Sequence, residues 1–137
     1  MKSLEKILKY REIHPTAMRL LVLDKLLKTQ HALSLNELEA LFDQADKITL
    51  YRTLKKFEKN KLVHSIDDGS GAVKYAVCDE NCECLPEQAH LHFHCIHCGS
   101  TFCMKEIGLP QVSLPKNFKP QELSLVVKGI CDRCSTK

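Results

Sequence analysis

The stretch His90-Leu91-His92-Phe93-His94-Cys95-Ile96-His97-Cys98-Gly99, HLHFHCIHCG, places six metal-ligating side chains within ten residues. A tetrahedral zinc ion takes four ligands, so either some of the six are bystanders or two sites meet here. The two halves of the stretch differ in spacing. His90, His92 and His94 alternate with Leu91, Phe93 and Cys95, which is the period of a strand with two unlike faces. Cys95 and Cys98 form a CxxC knuckle, with Gly99 beside it to permit a close backbone turn around sulfur. A second knuckle, Cys131-Asp132-Arg133-Cys134, follows Gly129. Together the four cysteines make a closed tetrahedral thiolate set, the donor chemistry of structural zinc. The gap between the knuckles exceeds that of an ordinary zinc ribbon, so it must hold secondary structure. Strands over 101–104 and 123–127 supply it.

Other chemistries fit less well. No histidine follows Cys98, which excludes a Cys2His2 finger by order. The sequence has no HExxH and no deaminase signature. A thioredoxin-like motif expects one CxxC at a helix start, whereas two occur here near strand ends. A disulfide framework is disfavoured because residues 1–21 are charged throughout, with no apolar run suited to secretion and none of membrane-spanning length anywhere. The chain reads as cytoplasmic, where thiols stay reduced and bind metals.

With four cysteines assigned, His90 and His92 remain on one strand face, spaced to share a second ion. Upstream, residues 62–66 and 73–77 alternate in polarity around Asp67-Asp68-Gly69-Ser70-Gly71, a hairpin pattern. That hairpin brings His64 and Cys78 to one end of its module. His64, Cys78, His90 and His92 then form a candidate regulatory site of three nitrogens and one sulfur. His94, on the same strand face, is a substitute ligand.

The first sixty residues carry apolar positions at helical spacing. Helices are expected over 3–13, 17–28 (facing inward through Leu20, Leu23 and Leu27), from Ser34 to near Phe42, and from Asp46 to about Asn60. His14-Pro15 breaks the first. Ser34-Leu35-Asn36-Glu37 is a capping box. Leu50, Leu54 and Phe57 make the buried face of the last. Helices followed by a hairpin imply a winged helix. Residues 1–62 hold 13 Lys/Arg against 8 Asp/Glu and residues 63–137 hold 7 against 9, so the basic surplus sits in the helical half. That asymmetry suits a polyanion-binding module joined to a metal module. Arg52, Lys55, Lys56 and Lys59, with Tyr51 near the start, line one face of the last helix and are suited to phosphates and base edges.

These motifs resemble the ferric uptake regulator family of bacterial metal-responsive repressors over nearly the whole chain. His14–Leu27 is similar to the family's second helix, Thr49-Leu50-Tyr51-Arg52-Thr53-Leu54 to the core of its DNA-recognition helix, and HLHFHCIHCG with the second knuckle to its metal block. The resemblance implies an α+β protein with three parts. Residues 1–77 would be a winged helix-turn-helix DNA-binding domain, 78–89 a hinge, and 90–137 a small zinc-stapled α/β dimerisation domain. It adds Arg19 and Thr49 to the DNA contacts. It further implies a homodimer on double-stranded operator DNA, with no membrane partner, no small-molecule substrate and no enzymatic activity.

His64, Cys78, His90 and His92 match the sensor positions of the family's zinc uptake regulators, and a thiolate suits zinc better than iron. The expected function is zinc-activated repression of metal-uptake genes, with zinc at both sites. Iron or peroxide responsiveness, a thiol redox sensor, and a metal buffer or metal-binding enzyme without a DNA target are the alternatives. Several positions depart from the family pattern. Ala32 stands where iron and peroxide sensors place a histidine, and Leu91 and Leu123 replace ligands of a further site. Cys103 falls where some zinc regulators place a glutamate ligand, making it a second substitute in the regulatory set. Cys82 and Cys84 are additional. Residues 108–119 are too short and proline-rich for the family's long dimerisation helix, which leaves dimerisation to strands.

Overall fold

The computed structural model describes residues 3–29, 31–43, 45–78, 90–121 and 123–136, and three of the described helices begin at side-chain caps. Helix α1 (Leu4–Tyr10) ends earlier than its apolar pattern suggests, because Glu12 turns into the left-handed region at φ 59 ahead of Pro15. Thr16 accepts the Arg19 N–H at 3.3 Å and starts α2 (Ala17–Lys28). A two-residue strand, β1 (Leu33–Ser34), leads directly into α3 (Leu35–Ala40). The Ser34 hydroxyl accepts the Glu37 N–H while the Glu37 carboxylate accepts the Ser34 N–H, closing the capping box at 3.1 and 3.0 Å. Asp46 accepts the Ile48 N–H at 3.4 Å to open α4 (Lys47–Lys59).

Strands β2 (Val63–Ile66) and β3 (Lys74–Val77) form the expected antiparallel hairpin. β1 adds to the other edge of β3, giving the order β1-β3-β2. Two residues carry no readable period, so β1 left no mark in the hydropathy pattern. Leu50, Thr53, Leu54 and Phe57 put one stripe of α4 into the core with Leu8, Leu38 and Tyr75. The inward face of α2 differs from the expectation: Val22, Leu23 and Leu26 are buried, whereas Leu27 is 45% exposed. That helix is apolar on most of its surface, so periodicity alone could not choose the face.

The second sheet has β4 (His90–Cys95) at its centre, antiparallel to β5 (Thr101–Gly108) and parallel to β6 (Val126–Gly129). β5 runs four residues past its expected end, and β6 begins three residues later than 123. Parallel pairing with β4 sets β6 in the register that delivers Gly129 opposite Cys95 and brings the second knuckle to the first. A one-turn helix, α5 (Asp132–Ser135), carries that knuckle. Residues 109–121 run between β5 and β6 without helix, and Val112, Leu114 and Phe118 in them are exposed. The Ala32 N–H donates to the Thr101 carbonyl at 2.7 Å, joining the residue before β1 to β5. Truncating the wholly buried ring in Phe57→Ala should cost about 3–5 kcal/mol in denaturant unfolding, and Leu27→Ala far less.

Candidate functional site

The two knuckles converge as their spacing requires. Cys95 ends β4, Gly99 takes φ +81 after the turn, and Cys131 caps α5 with Cys134 one turn on. The four sulfurs lie within 4.8 Å of one another, with Cys98 and Cys131 Sγ 3.8 Å apart. Zinc–sulfur bonds of about 2.3 Å give a tetrahedron with edges of about 3.8 Å. The Cys98 and Cys131 N–H groups both point at Cys95 Sγ at 3.4 Å. These amides, Cys98's foremost, hold the Cys95 thiol down at about 5 against the opposing effect of burial. Burial, followed by the neighbouring sulfurs, pushes Cys134 up to about 12. Four sulfurs gathered this closely have the donor set and spacing to hold a cation among them.

A second group joins three strands: His64 of β2, His90 and His92 of β4, and Cys103 of β5, again with ligand atoms within 4.8 Å of one another. His92 stands opposite Cys103 in the antiparallel register. The His64 and His92 Nε2 atoms are 3.4 Å apart, and Cys103 Sγ is 3.5 Å from His64 Nε2. Zinc bonds of about 2.0–2.1 Å to nitrogen and 2.3 Å to sulfur predict edges of about 3.3–3.4 and 3.5–3.6 Å. His92 is 9% exposed. Burial, and then the neighbouring His90, lower its pKa to about 4, which keeps the imidazole in its neutral, metal-binding form.

This set differs from the expectation by one sulfur. Cys78, just past the end of β3, donates its N–H to the Leu62 carbonyl, and its Sγ lies 3.3 Å from His64 Nδ1, on the opposite side of the ring from Cys103. Cys103 stands at the ligand corner and Cys78 behind the imidazole. Counting back from the knuckle turn, where His94 meets Thr101, pairs 92 with 103, a register the strand pattern alone did not fix. His94 does not join the group. Its Nδ1 lies 2.9 Å from Thr101 Oγ1 and 3.3 Å from Asp68 Oδ2. Cys82, Cys84 and the rest of the connector from 79 to 89 lie outside the described residues.

Sequence reasoning missed Asp68. In the hairpin turn its carboxylate is 1% exposed and accepts from the Ser70 N–H at 2.9 Å, Lys74 Nζ at 3.0 Å and the Thr101 hydroxyl. A turn aspartate next to a second aspartate gave no signal of burial. Burial pushes its pKa up, but the bonds from Ser70, Thr101 and Lys74 hold it well below the usual carboxylate range.

On α4, Thr49, Arg52, Lys55 and Lys59 are exposed, Tyr51 is 45% exposed and Lys56 is half-buried. Lys55 bonds Glu58 at 3.2 Å and sits over the Tyr51 ring at 5.4 Å. Its pKa is raised, chiefly by Glu58. The Arg19 guanidinium donates to the His14 carbonyl at 2.8 Å, which fixes its base at the start of α2.

Residues 10–127 match the model of the ferric uptake regulator family. The chain belongs to that family. Its members are metal-responsive transcriptional regulators rather than enzymes. Over 95 residues the chain is 33% identical to the ferric uptake regulation protein of Bacillus subtilis (strain 168), a match spanning 65% of this chain and 60% of that relative's length. The ferric uptake regulator of Vibrio cholerae superimposes with a TM-score of 0.62 at 20% identity, over 94% of this chain and 100% of that one. A zinc uptake regulator complexed with zinc and DNA gives 0.66 at 22% identity, over 96% of this chain and 90% of its own. These structural likenesses establish a shared mixed α+β fold. Among the described residues, no helix is long and apolar enough to cross a membrane.

Asp68 yields a pH prediction. Its carboxyl binds a proton less readily in the folded chain than in the unfolded one, where carboxylate pKa values lie near about 3.9. Its stabilisation is therefore present above about pH 4 and is lost as pH falls below that value. Thermal unfolding of the metal-free chain should show this acid loss, and Asp68→Asn should flatten it.

Proposed function

We propose that the chain is a homodimeric, DNA-binding transcriptional repressor, activated by zinc, that controls metal-uptake genes. The observation that carries this reading is the set of 3.4 and 3.5 Å separations in the His64, His90, His92 and Cys103 group, the edges of a zinc tetrahedron with donors from two sheets. Among the described residues the group holds three imidazoles and a thiolate and no carboxylate, a donor set that favours zinc over the oxygen-preferring manganese. Zinc, when bound, supplies the bonds that join the two sheets. His64 contributes the hairpin's ligand, His90 and His92 those of β4, and Cys103 that of β5. With Nε2 turned toward the ion, His64 Nδ1 carries the proton and donates to the Cys78 sulfur, which fixes the ring's tautomer from behind. Cys95, Cys98, Cys131 and Cys134 would hold a separate structural zinc that ties β4 to α5.

In this reading residues 1–77 are the winged-helix DNA-binding domain, 78–89 the hinge, and 90–137 the dimerisation domain. Arg52, Lys55, Lys56 and Lys59 of α4 reach phosphates and base edges in the major groove, with Thr49 and Tyr51 near the helix start, and Arg19 grips a phosphate. Docking the wing on the second sheet fixes the direction of α4. Exposed Ile107, Val112, Leu114, Phe118 and Ile130 offer the second unit an apolar surface for a second copy. A dimer then holds two recognition helices at one half-site spacing.

Elemental analysis should find two zinc ions per wild-type chain and one in Cys103→Ser, with zinc-dependent binding to promoter fragments of metal-uptake genes lost in the variant. In cobalt-substituted protein, Cys78→Ser should keep the regulatory site's thiolate charge-transfer band, and Cys103→Ser should lose it. Activation by iron or manganese but not by zinc would overturn the reading. Lys59→Ala should weaken binding alike across sequences and reduce the salt slope by about one.

A further inference from the structure

Strand β4 meets the wing twice on one face. His92 reaches His64, and one strand repeat further on His94 reaches Asp68. The second contact contains none of the four clustered ligands. Asp68 Oδ2 receives the Thr101 hydroxyl from β5, and Lys74 Nζ, while bonded to Asp68, also donates to the Gly99 carbonyl at 3.3 Å. Thr101 spends its proton on Asp68, so its oxygen accepts from His94 Nδ1–H. The wing turn also meets the end of the Lys128 side chain from β6: Gly69 has φ +82, and a Cβ there would lie 2.6 Å from Lys128 Nζ.

We propose that Asp68 is a positioning residue: through Thr101, His94 and Lys74 it latches the wing to the second sheet without metal, so that His64 is already over His90 and His92 when the ion arrives. The proposal deepens the zinc-sensor reading and, in its metal-affinity arm, rests on it. Docking takes both charges of a hydrogen-bonded ion pair out of water, with Asp68 at 0% and Lys74 at 6% side-chain exposure. Such burial is tolerated only in the one geometry that satisfies every donor and acceptor, so the pair selects a single docked position. Oδ1 takes the Ser70 N–H and Oδ2 takes Lys74 and the Thr101 hydroxyl, which leaves neither oxygen unmatched, and His94 is tied to the carboxylate through Thr101. Removing the carboxylate leaves Lys74 buried without its counter-charge in the docked position, and that position empties. A ligand set that is assembled only part of the time binds its ion more weakly in proportion to that fraction.

The test uses the full-length dimer, loaded with one zinc per chain to occupy the four-cysteine site, as wild type, Asp68→Asn, and Asp68→Asn with Lys74→Met. Amide hydrogen exchange over residues 63–77 reads docking before sensor metal is added, and chelator competition reads zinc affinity. In Asp68→Asn the wing amides should exchange at least about tenfold faster and the second zinc should bind at least about tenfold more weakly. Affinity at the four-cysteine site and exchange in α2 and α4 should be unchanged. The double variant buries no lone charge yet still lacks the carboxylate and its bonds, so both readouts should stay displaced from wild type. Unchanged wing exchange in Asp68→Asn, or full recovery in the double variant, which would trace the defect to the stranded lysine alone, overturns the latch. If wild type binds only one zinc per chain, the zinc-sensor reading fails while the exchange comparison still decides the latch. Should Asp68→Asn fail to fold, Thr101→Val removes one bond to the carboxylate and is judged by the same two readouts.

Discussion

The antiparallel pairing of β4 with β5 orders everything that follows it in space. The tight turn after Cys95 fixes His94 opposite Thr101, and that register then sets His92 opposite Cys103. A slip of one residue would turn all three strand histidines to the opposite face and carry Cys103 away from them. One face of the pair supplies imidazoles and a thiolate to the wing, and its end supplies the thiolates of the first knuckle. Both candidate metal centres and the Asp68 contact thus share a single backbone constraint.

Much of this was legible in the sequence where the relevant interactions are local. Thr16, Ser34 and Asp46 cap helices through bonds made within three residues, so the starts of α2, α3 and α4 could be read directly. The stripe of Leu50, Leu54 and Phe57 needs only one helix to declare itself. The four-cysteine group was legible because CxxC spacing encodes its own geometry. What stayed hidden depends on distant partners. The buried face of α2 depends on which neighbours pack against a helix that is apolar on most of its surface, and β1 exists only because β3 offers it an edge. The burial of Asp68 depends on Thr101, 33 residues downstream.

The presence of Cys103 rather than Cys78 in the candidate histidine–thiol group has the same origin. Both thiols flank His64, one at each ring nitrogen, so sequence proximity to the hairpin favoured Cys78 while strand register favours Cys103. An imidazole held between two sulfurs has its orientation set from both sides. The ring cannot rotate without losing one of them, and its position in β2 ties that orientation to the wing.

The parallel strand β6 has a consequence for how the molecule assembles. β4, its turn and β5 form a local hairpin, and such hairpins close in microseconds. β6 must return across the long, proline-containing segment after β5 before Cys131 meets Cys98, 33 positions away in the chain. Closing that longer loop costs entropy that the short hairpin does not incur, so the first knuckle is built before the second arrives. A nascent chain therefore presents Cys95 and Cys98 as an open two-thiol port. If the four-cysteine site holds zinc as proposed, an ion captured there early would draw Cys131 and Cys134 home and so take part in folding as well as in the folded state.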